Sequence, residues 1–477
     1  MYVNPFLATF ANDNDALIPE LWARESIAVL FENMVVGRLV HRDFENEIAQ
    51  FGDVVNTRKP ADRVARRKTD ADSITYNDAV LNNVQVPLNQ HVYEAFTIKD
   101  GERSKSMQDL VEIHLVPSMK AVANVVDRAI LGRMAHEFLG GVNDRAGRLL
   151  NMGSSTAKDY ILEAGEILHN QLAPVDGRRL IVAPSAQTAV LATDLFVKAN
   201  ERGDGGTALE NALMGMIYGF DTFMSQNVNF VRDDAASRDT ALSVTSAAIA
   251  QGASGSLTAV DFTGHVVLQG EYVILAGNDQ PTWATAVTSS MGDTTAVTLN
   301  ESLKYAVGSG AAITAYNACD VDGAGSSYAA GYSKEIILDG HTADKNLVKG
   351  QLVAFGNTAG TRHVYSVVEV ISTTSTSTTV LLDRPLDATV ADNAKAYPGP
   401  AGSFNPAFTR NAIALVNRPL ATPDPSMGAR SFVANFNDIS VRATMQYDID
   451  SQGTKVVLDL LCGVAVLDAN LATIVLG

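Results

Sequence analysis

The stretch VQVPLNQHVYEAFTI, residues 84–98, places Val84, Val86, Leu88, Val92, Phe96 and Ile98 at even positions. A period of two marks a strand with one buried face. At about 3.3 Å per residue such a strand reaches ~50 Å, longer than strands in most globular sheets. Pro87 cannot donate to a ladder and predicts an edge position. Upstream, GDVVNTRKP (52–60) reads as a second strand ending at a proline. A strand pair of this length is expected to project from its domain. Because an isolated two-stranded arm is marginal in water, it is expected to lie on another subunit.

Between these strands lies RKPADRVARRK (58–68), with bases at Arg58, Lys59, Arg63, Arg66, Arg67 and Lys68 against the single acid Asp62. The whole chain of 477 residues has the opposite balance, 53 acids to 36 bases and a net charge of −17. That excess repels nucleic acid in general, so a protein neighbour is the favoured partner of the basic stretch and DNA the second choice. Asp62 reads as a local charge partner rather than an acid–base group.

Working outward, PELWARESIAVLFENMVVGRLVHRDFENEIAQ (19–50) has Trp22, Ile27, Leu30, Phe31 and Met34 at helical spacing, with Gly37 predicted to end the helix. Ser106–Leu139 is the strongest helix. It opens on the capping pattern SMQD and carries an apolar face through Val111, Leu115, Met119, Val122, Val126, Ile130 and Phe138. Pro117 is predicted to kink it. Residues 156–231 alternate helix and strand.

From about residue 233 to 400, Thr, Ser, Ala, Gly and Val dominate and helical periodicity fades, as in a separate β-domain. GEYVILAG (270–277) and GQLVAFGN (350–357) echo one another at an offset of about 80 residues. Each is followed by a valine-rich strand and then by TAVTLNESL or TTVLLDRPL. Mixed character returns from residue 401, so the chain is α+β with a β-rich insertion.

No chemistry announces itself. There is no GxGxxG after a strand, no P-loop, no HExxH and no GxSxG. The histidines lack ligand spacing, Cys319 and Cys462 are read as buried thiols, and DVDG (320–323) as a polar turn. Glu163 and Glu166 sit at i, i+3 on a solvated helix face. No enzyme, metal or cofactor is expected. The N-terminus lacks the basic and apolar regions of a signal peptide, and no window matches a membrane helix.

The order of elements, a helical arm, a long β-arm, a long helix, a small α/β region, an inserted β-domain and closing strands, resembles the major capsid proteins of tailed bacteriophages with the Hong Kong 97-type fold. It is most similar to short-tailed-phage coat proteins that carry an insertion. WARESIAVLFENMVVGRLVHRDFENEIAQFGDVVNTRKP resembles the N-terminal arm running into the extended loop, and ANVVDRAIL the spine helix. YGFDTFMSQNV, TRNAIALVNRPLATP and KVVLDLLCGVAVLDANLATIVL resemble axial and peripheral strands.

The resemblance implies an N-terminal arm at 1–50, an extended loop at 51–105 and a peripheral domain with spine helix at 106–153. It implies axial segments at 154–232 and 404–435, an inserted domain at 233–403 and peripheral closing strands at 436–477. It further implies self-assembly through pentamers and hexamers into an icosahedral virion capsid in the bacterial host cytoplasm. The implied partners are a scaffolding protein, a portal, a possible decoration protein and double-stranded DNA held by enclosure. Some related capsids weld subunits by lysine–asparagine bonds, and Lys59, Lys68 and Lys99 are available in the loop. A phage tail or surface-adhesion protein is the alternative suggested by the threonine-rich β-domain, and a hydrolase with a β-accessory domain is a third reading.

Overall fold

The computed structural model describes residues 18–42, 54–60, 65, 67–68, 81–99, 114–139, 157–192, 214–231, 238–244, 248–253, 256–257, 260–261, 267, 272–275, 282–290, 293–299, 302–303, 305–316, 319–323, 325, 327–332, 335–340, 347–355, 363–397, 402–424, 428–450 and 452–477. The chain divides into two compact units. The first comprises 1–30, 41–122 and 414–467, and the second 31–40, 123–413 and 468–477.

The first unit is built on an antiparallel sheet whose longest strand is Gly453–Val466. The strand Ile439–Asp448 pairs with it and in turn pairs with Ala429–Phe436. Ile413–Arg418 joins the same long strand. The expected arm is here, but differently arranged. Residues 84–98 are not one strand: β1 (Val54–Pro60) pairs with β2 (Leu81–Pro87), the chain breaks at Leu88 and Asn89, and β3 (Gln90–Lys99) begins. Proline at the end of β2 has no N–H to continue a ladder. β3 then pairs with Gly453–Val466 from Lys99↔Gly453 to Gln90↔Cys462, so it rests on its own chain rather than awaiting another subunit. Only the β1–β2 ribbon remains two-stranded.

Gly463 explains how the ribbon meets the sheet. A Cβ there would lie 2.2 Å from the Pro87 carbonyl oxygen, so only glycine allows that approach. Helix α1 (Ile18–Asn33) buries Trp22, Ile27 and Leu30, and Trp22 lies 5.9 Å from the Phe96 ring of β3. The helix stops at Asn33, before the expected Gly37. The residues that follow form a 3-10 turn, Val36–Arg38.

The second unit is organised around α2 (Val116–Leu139), about 36 Å long at 1.5 Å per residue. From Val122 to Phe138 most described side chains are buried and the others half-buried, so the helix is enclosed rather than one-faced. The part of the expected helix before Pro117 lies largely outside the described residues, and His114 and Leu115 are π-helical. Pro117 sits in the first turn, where a missing N–H removes no helical bond. The expected start at Ser106, like Val111, lies outside the described residues.

A mixed sheet has the order Ala472–Leu476, Gly402–Thr409, Arg178–Val182, Phe220–Met224, Met216–Ile217, with Arg178–Val182 and Phe220–Met224 parallel. Helices α3 (Ala157–Asn170) and α4 (Pro184–Leu191) belong to this unit. Ala472–Leu476 pairs with Gly402–Thr409, so the last strand closes this sheet and not the one formed by Ile439–Asp448 and Gly453–Val466. Conversely, Ile413–Arg418 and Ala429–Phe436, expected with the axial segment 404–435, lie in the first unit's sheet. The resemblance implied that 436–477 close one domain together. The 3-10 turn Ala469–Leu471, capped by Asp468 accepting from the Asn470 N–H, redirects the chain between the two sheets.

Among its described residues the insertion is built of strands: those from Arg238 to Tyr316 form a seven-stranded sheet, and those from Cys319 to Tyr397 a closed six-stranded barrel.

Candidate assembly surface

The β1–β2 ribbon is rooted at one end. Val55 and Val86, directly paired, are buried with Ala414, Val416 and Ala465, and Leu88 and Leu467 pack against them. The other face is exposed at Val54, Asn56, Asn83 and Gln85. Asn83 donates to Asn56 Oδ1 at 3.0 Å, a polar cross-strand tie.

Two of the basic residues follow the root along β1. Arg58 and Lys59 occupy the distal half of β1, opposite Asn83 and Asn82. Arg67 and Lys68 are exposed. Arg63 and Arg66, with Asp62, lie outside the described residues. The ribbon thus divides into an apolar root and a cationic outer part.

β3 is fastened by a side-chain contact as well as by its ladder. His91 Nε2 lies 3.1 Å from Asp459 Oδ2, and Arg442 Nε donates to Asp459 Oδ1 at 3.0 Å. Asp459 is buried, so one carboxylate on the central strand ties both neighbours, a charge-assisted arrangement. A cavity of about 320 Å³ lies beside the 436–440 turn, lined by Asn417, Pro419, Asn435, Phe436 and Ser440 among others. Asn417 Oδ1 accepts from the Ser440 N–H at 2.8 Å.

Two buried carboxylates in the second unit escaped the sequence reading. Asp127, on α2, accepts from the Val35 N–H at 2.9 Å and the Gly37 N–H at 3.0 Å. Burial pushes its carboxyl up to about 6, against the N–H groups that favour the charged form. A lone acid within ANVVDRAIL was the available signal.

Asp383 lies in the closed barrel of the insertion, fully buried beside Arg384, whose Nη1 donates to Asp383 Oδ2 at 3.0 Å. Arg384 Nη2 reaches the Val364 carbonyl at 2.7 Å and Asp387 at 3.1 Å, and its guanidinium stacks 4.3 Å from the Tyr365 ring centroid. Burial disfavours both charges, while Asp383 and Asp387 keep the guanidinium firmly protonated. The α2 face that meets this cluster is Gly132, where a Cβ would stand 2.6 Å from Asp383 Oδ2.

These groups hold structure together; they do not converge on an open site. Both cysteines are buried and free, and desolvation pushes each thiol up to about 12, far from a thiolate nucleophile. DVDG is a strand end rather than a turn, since Cys319–Asp322 pairs with Ile336–Asp339. Among the described residues, no group of three or more His, Cys, Asp or Glu is placed to hold a metal, and no helix is long and apolar enough to cross a membrane.

No family model and no curated protein matches the sequence. Among solved structures, the chain is similar to one titled Mycobacterium phage Che8, at 13% identity and a TM-score of 0.41, covering 93% of this chain and 90% of that one. It is similar to the capsid structure of the Cyanophage P-SCSP1u, at 10% identity and 0.39, covering 89% and 84%. It is also similar to the capsid of Ralstonia phage GP4, at 9% identity and 0.38, covering 94% and 90%.

Proposed function

We propose that this chain is the major capsid protein of a tailed bacteriophage, with a Hong Kong 97-type subunit that self-assembles into a closed icosahedral shell around double-stranded DNA. The β1–β2 ribbon carries the reading. Its root is buried in its own unit, while its cationic part continues past the packed residues. A two-stranded ribbon gains little stability alone, so a neighbouring surface is what would hold it. In a net-acidic chain the neighbour can be a second copy of the same protein. Exposed ion pairs contribute only about 0–1 kcal/mol each. Repeated around a shell, contacts this weak add up while each stays reversible during assembly.

On this reading α2 supplies rigidity, the mixed sheet faces the capsomer centre, and the first unit lies at the periphery. Pentamers and hexamers form the shell with a scaffolding protein and a portal. A decoration protein is a further partner, DNA is enclosed rather than read, and assembly takes place in the host cytoplasm. The function rests on interfaces rather than on catalysis.

Negative-stain microscopy of the purified protein, with light scattering on the same sample, tests this. Shells, polyheads or rings of five and six are expected, if necessary on co-expression with a scaffold. A persistent monomer or trimer under both conditions would overturn it. Reversing Arg58, Lys59, Arg63, Arg66, Arg67 and Lys68 to Glu is expected to abolish closed particles. Normal shells that fail only to retain DNA would reassign the basic ribbon to nucleic acid.

A further inference from the structure

The insertion repeats itself in three dimensions. In the second barrel, Leu352–Phe355 pairs with His363–Thr373, which pairs with Thr378–Leu382. Leu352–Phe355 also pairs with Lys395–Tyr397, which pairs with Cys319–Asp322. In the first sheet, Tyr272–Leu275, Thr282–Ser290, Asp293–Leu299, Ala312–Tyr316 and Arg238–Val244 make the same pairings in the same order.

The closing strand corresponds as well. Ile336–Asp339 bridges the two edges of the second barrel. In the first, the consecutive strands Ser256–Leu257 and Val260–Asp261 pair with opposite edges of the sheet. The first sheet is therefore the same barrel with its closing strand in two pieces.

The register agrees at several separate points. The bridge Ile249↔Val307 matches Tyr328↔Val390. The Gly252 N–H donates to the Leu303 carbonyl as the Gly331 N–H donates to that of Leu386, and both glycines have φ near +80°. A β-bulge falls between Ala284 and Ala286, and its counterpart between Val367 and Glu369. Bulges are specific, inherited features of a sheet. Val273/Val353, Val297/Val380, Leu299/Leu382, Leu303/Leu386 and Val307/Val390 are identical pairs buried in the two cores.

Each copy also has its two ends side by side, Arg238 pairing with Tyr316 and Cys319 with Ala396. Such a unit can be added to a host fold without reshaping it.

The copies differ in how they join that host. The second barrel meets α2 through Asp383 at Gly132 and through Arg133 to Asp387 at 3.5 Å. It also meets the strand Phe230–Val231 through the Phe230 N–H to the Gly350 carbonyl at 3.1 Å. By register, the first copy has Asn300, Glu301 and Lys304 where the second has Asp383, Arg384 and Asp387, so the Asp–Arg–Asp pattern of the anchor is not repeated in the sequence. The first copy meets α3 at an exposed hydrogen bond, Tyr305 to Glu163 Oε1 at 3.3 Å.

We infer that 238–316 and 319–397 are two copies of one barrel module, of which the second is built into the subunit frame and the first is an autonomous appendage. The inference goes beyond the shell reading and does not depend on it. The test is peptide-resolved hydrogen exchange on the full chain carrying the matched substitutions Val273→Asp or Val353→Asp. Val273→Asp is expected to speed exchange about 100-fold within 238–316 and to leave 319–397 and 123–139 within about twofold of the parent. Val353→Asp is expected to speed exchange in 319–397 and in 123–139 together. Loss of protection in 319–397 or in α2 on Val273→Asp would overturn the autonomy of the first copy. Unchanged α2 on Val353→Asp would overturn the integration of the second. Removing 238–316 outright, keeping 232–237 and 317–318 as the joint, is expected to leave the remaining exchange pattern intact; an unfolded product would also overturn the inference.

Discussion

Two carboxylates are buried against the same helix, and the second unit treats them in opposite ways. Asp383, packed on Gly132, is given a complete counter-charge in Arg384. Asp127, one and a half turns earlier on α2, is given the N–H groups of a chain elbow. The first arrangement satisfies the ion with another ion, and both lose solvation. The second satisfies it with neutral dipoles, which cost less to bury but leave the charge uncancelled. A paired charge should therefore be costly to break and a dipole-held charge cheaper to remove, while burial raises both carboxyls.

The sharpest way to break that contrast is Arg384→Ala. It strands Asp383 in the interior, and the expected loss is about 3–5 kcal/mol in urea or thermal unfolding. Because protonation relieves a stranded carboxylate, the deficit should shrink as pH falls. If Arg384→Met combined with Asp383→Leu is as damaging as Arg384→Ala alone, the charge account fails and packing is responsible.

Asp127→Ala comes next, with an expected loss of about 2–3 kcal/mol from unmet N–H groups. Its pH signature is more telling. The folded value of about 6 lies above the ordinary 3.8, so between these the folded chain binds the extra proton. Stability should therefore fall as pH rises from about 4 to 6, by on the order of 3 kcal/mol, and level off above. Asp127→Asn should flatten that slope. A slope unchanged in the Asn variant would place the titration elsewhere.

Gly132→Ala intrudes on Asp383 and is expected to cost about 1–3 kcal/mol, less if the carboxylate can move. The smallest effect belongs to the thiols. Cys319 and Cys462 should resist alkylation in native protein at pH 8, becoming reactive only on unfolding, as a thiol-counting assay would show.

The contrast also marks the limit of what the sequence disclosed. α2 was readable because its apolar positions recur locally, and its enclosure on several sides did not hide them. The strands of 84–98 were readable in period but not in partner. Nothing near Gln90 indicates that it will pair with Cys462. Asp127 gave only a lone acid in an apolar run, since its partners are backbone groups 90 and 92 residues away. The basic stretch was plain in composition, yet its placement beyond a buried root came only from the Val55–Val86 pairing and the close approach at Gly463. The internal echo was visible through GEYVILAG and GQLVAFGN because β-branched core positions survived, whereas the shared bulge and glycine turn could be matched only in the folded chain.

The adjacency of Arg238 and Tyr316 has a consequence for the gene. A coding segment whose product begins and ends at one point can be lost, gained or exchanged by recombination at two nearby codons, with the reading frame as the only constraint. Lineages carrying this protein are then expected to differ first in the number of such cassettes, one or two, long before they differ in the helix and sheets that receive them. Sequencing across 232–318 in related genomes would reveal clean in-frame gaps of one cassette in length.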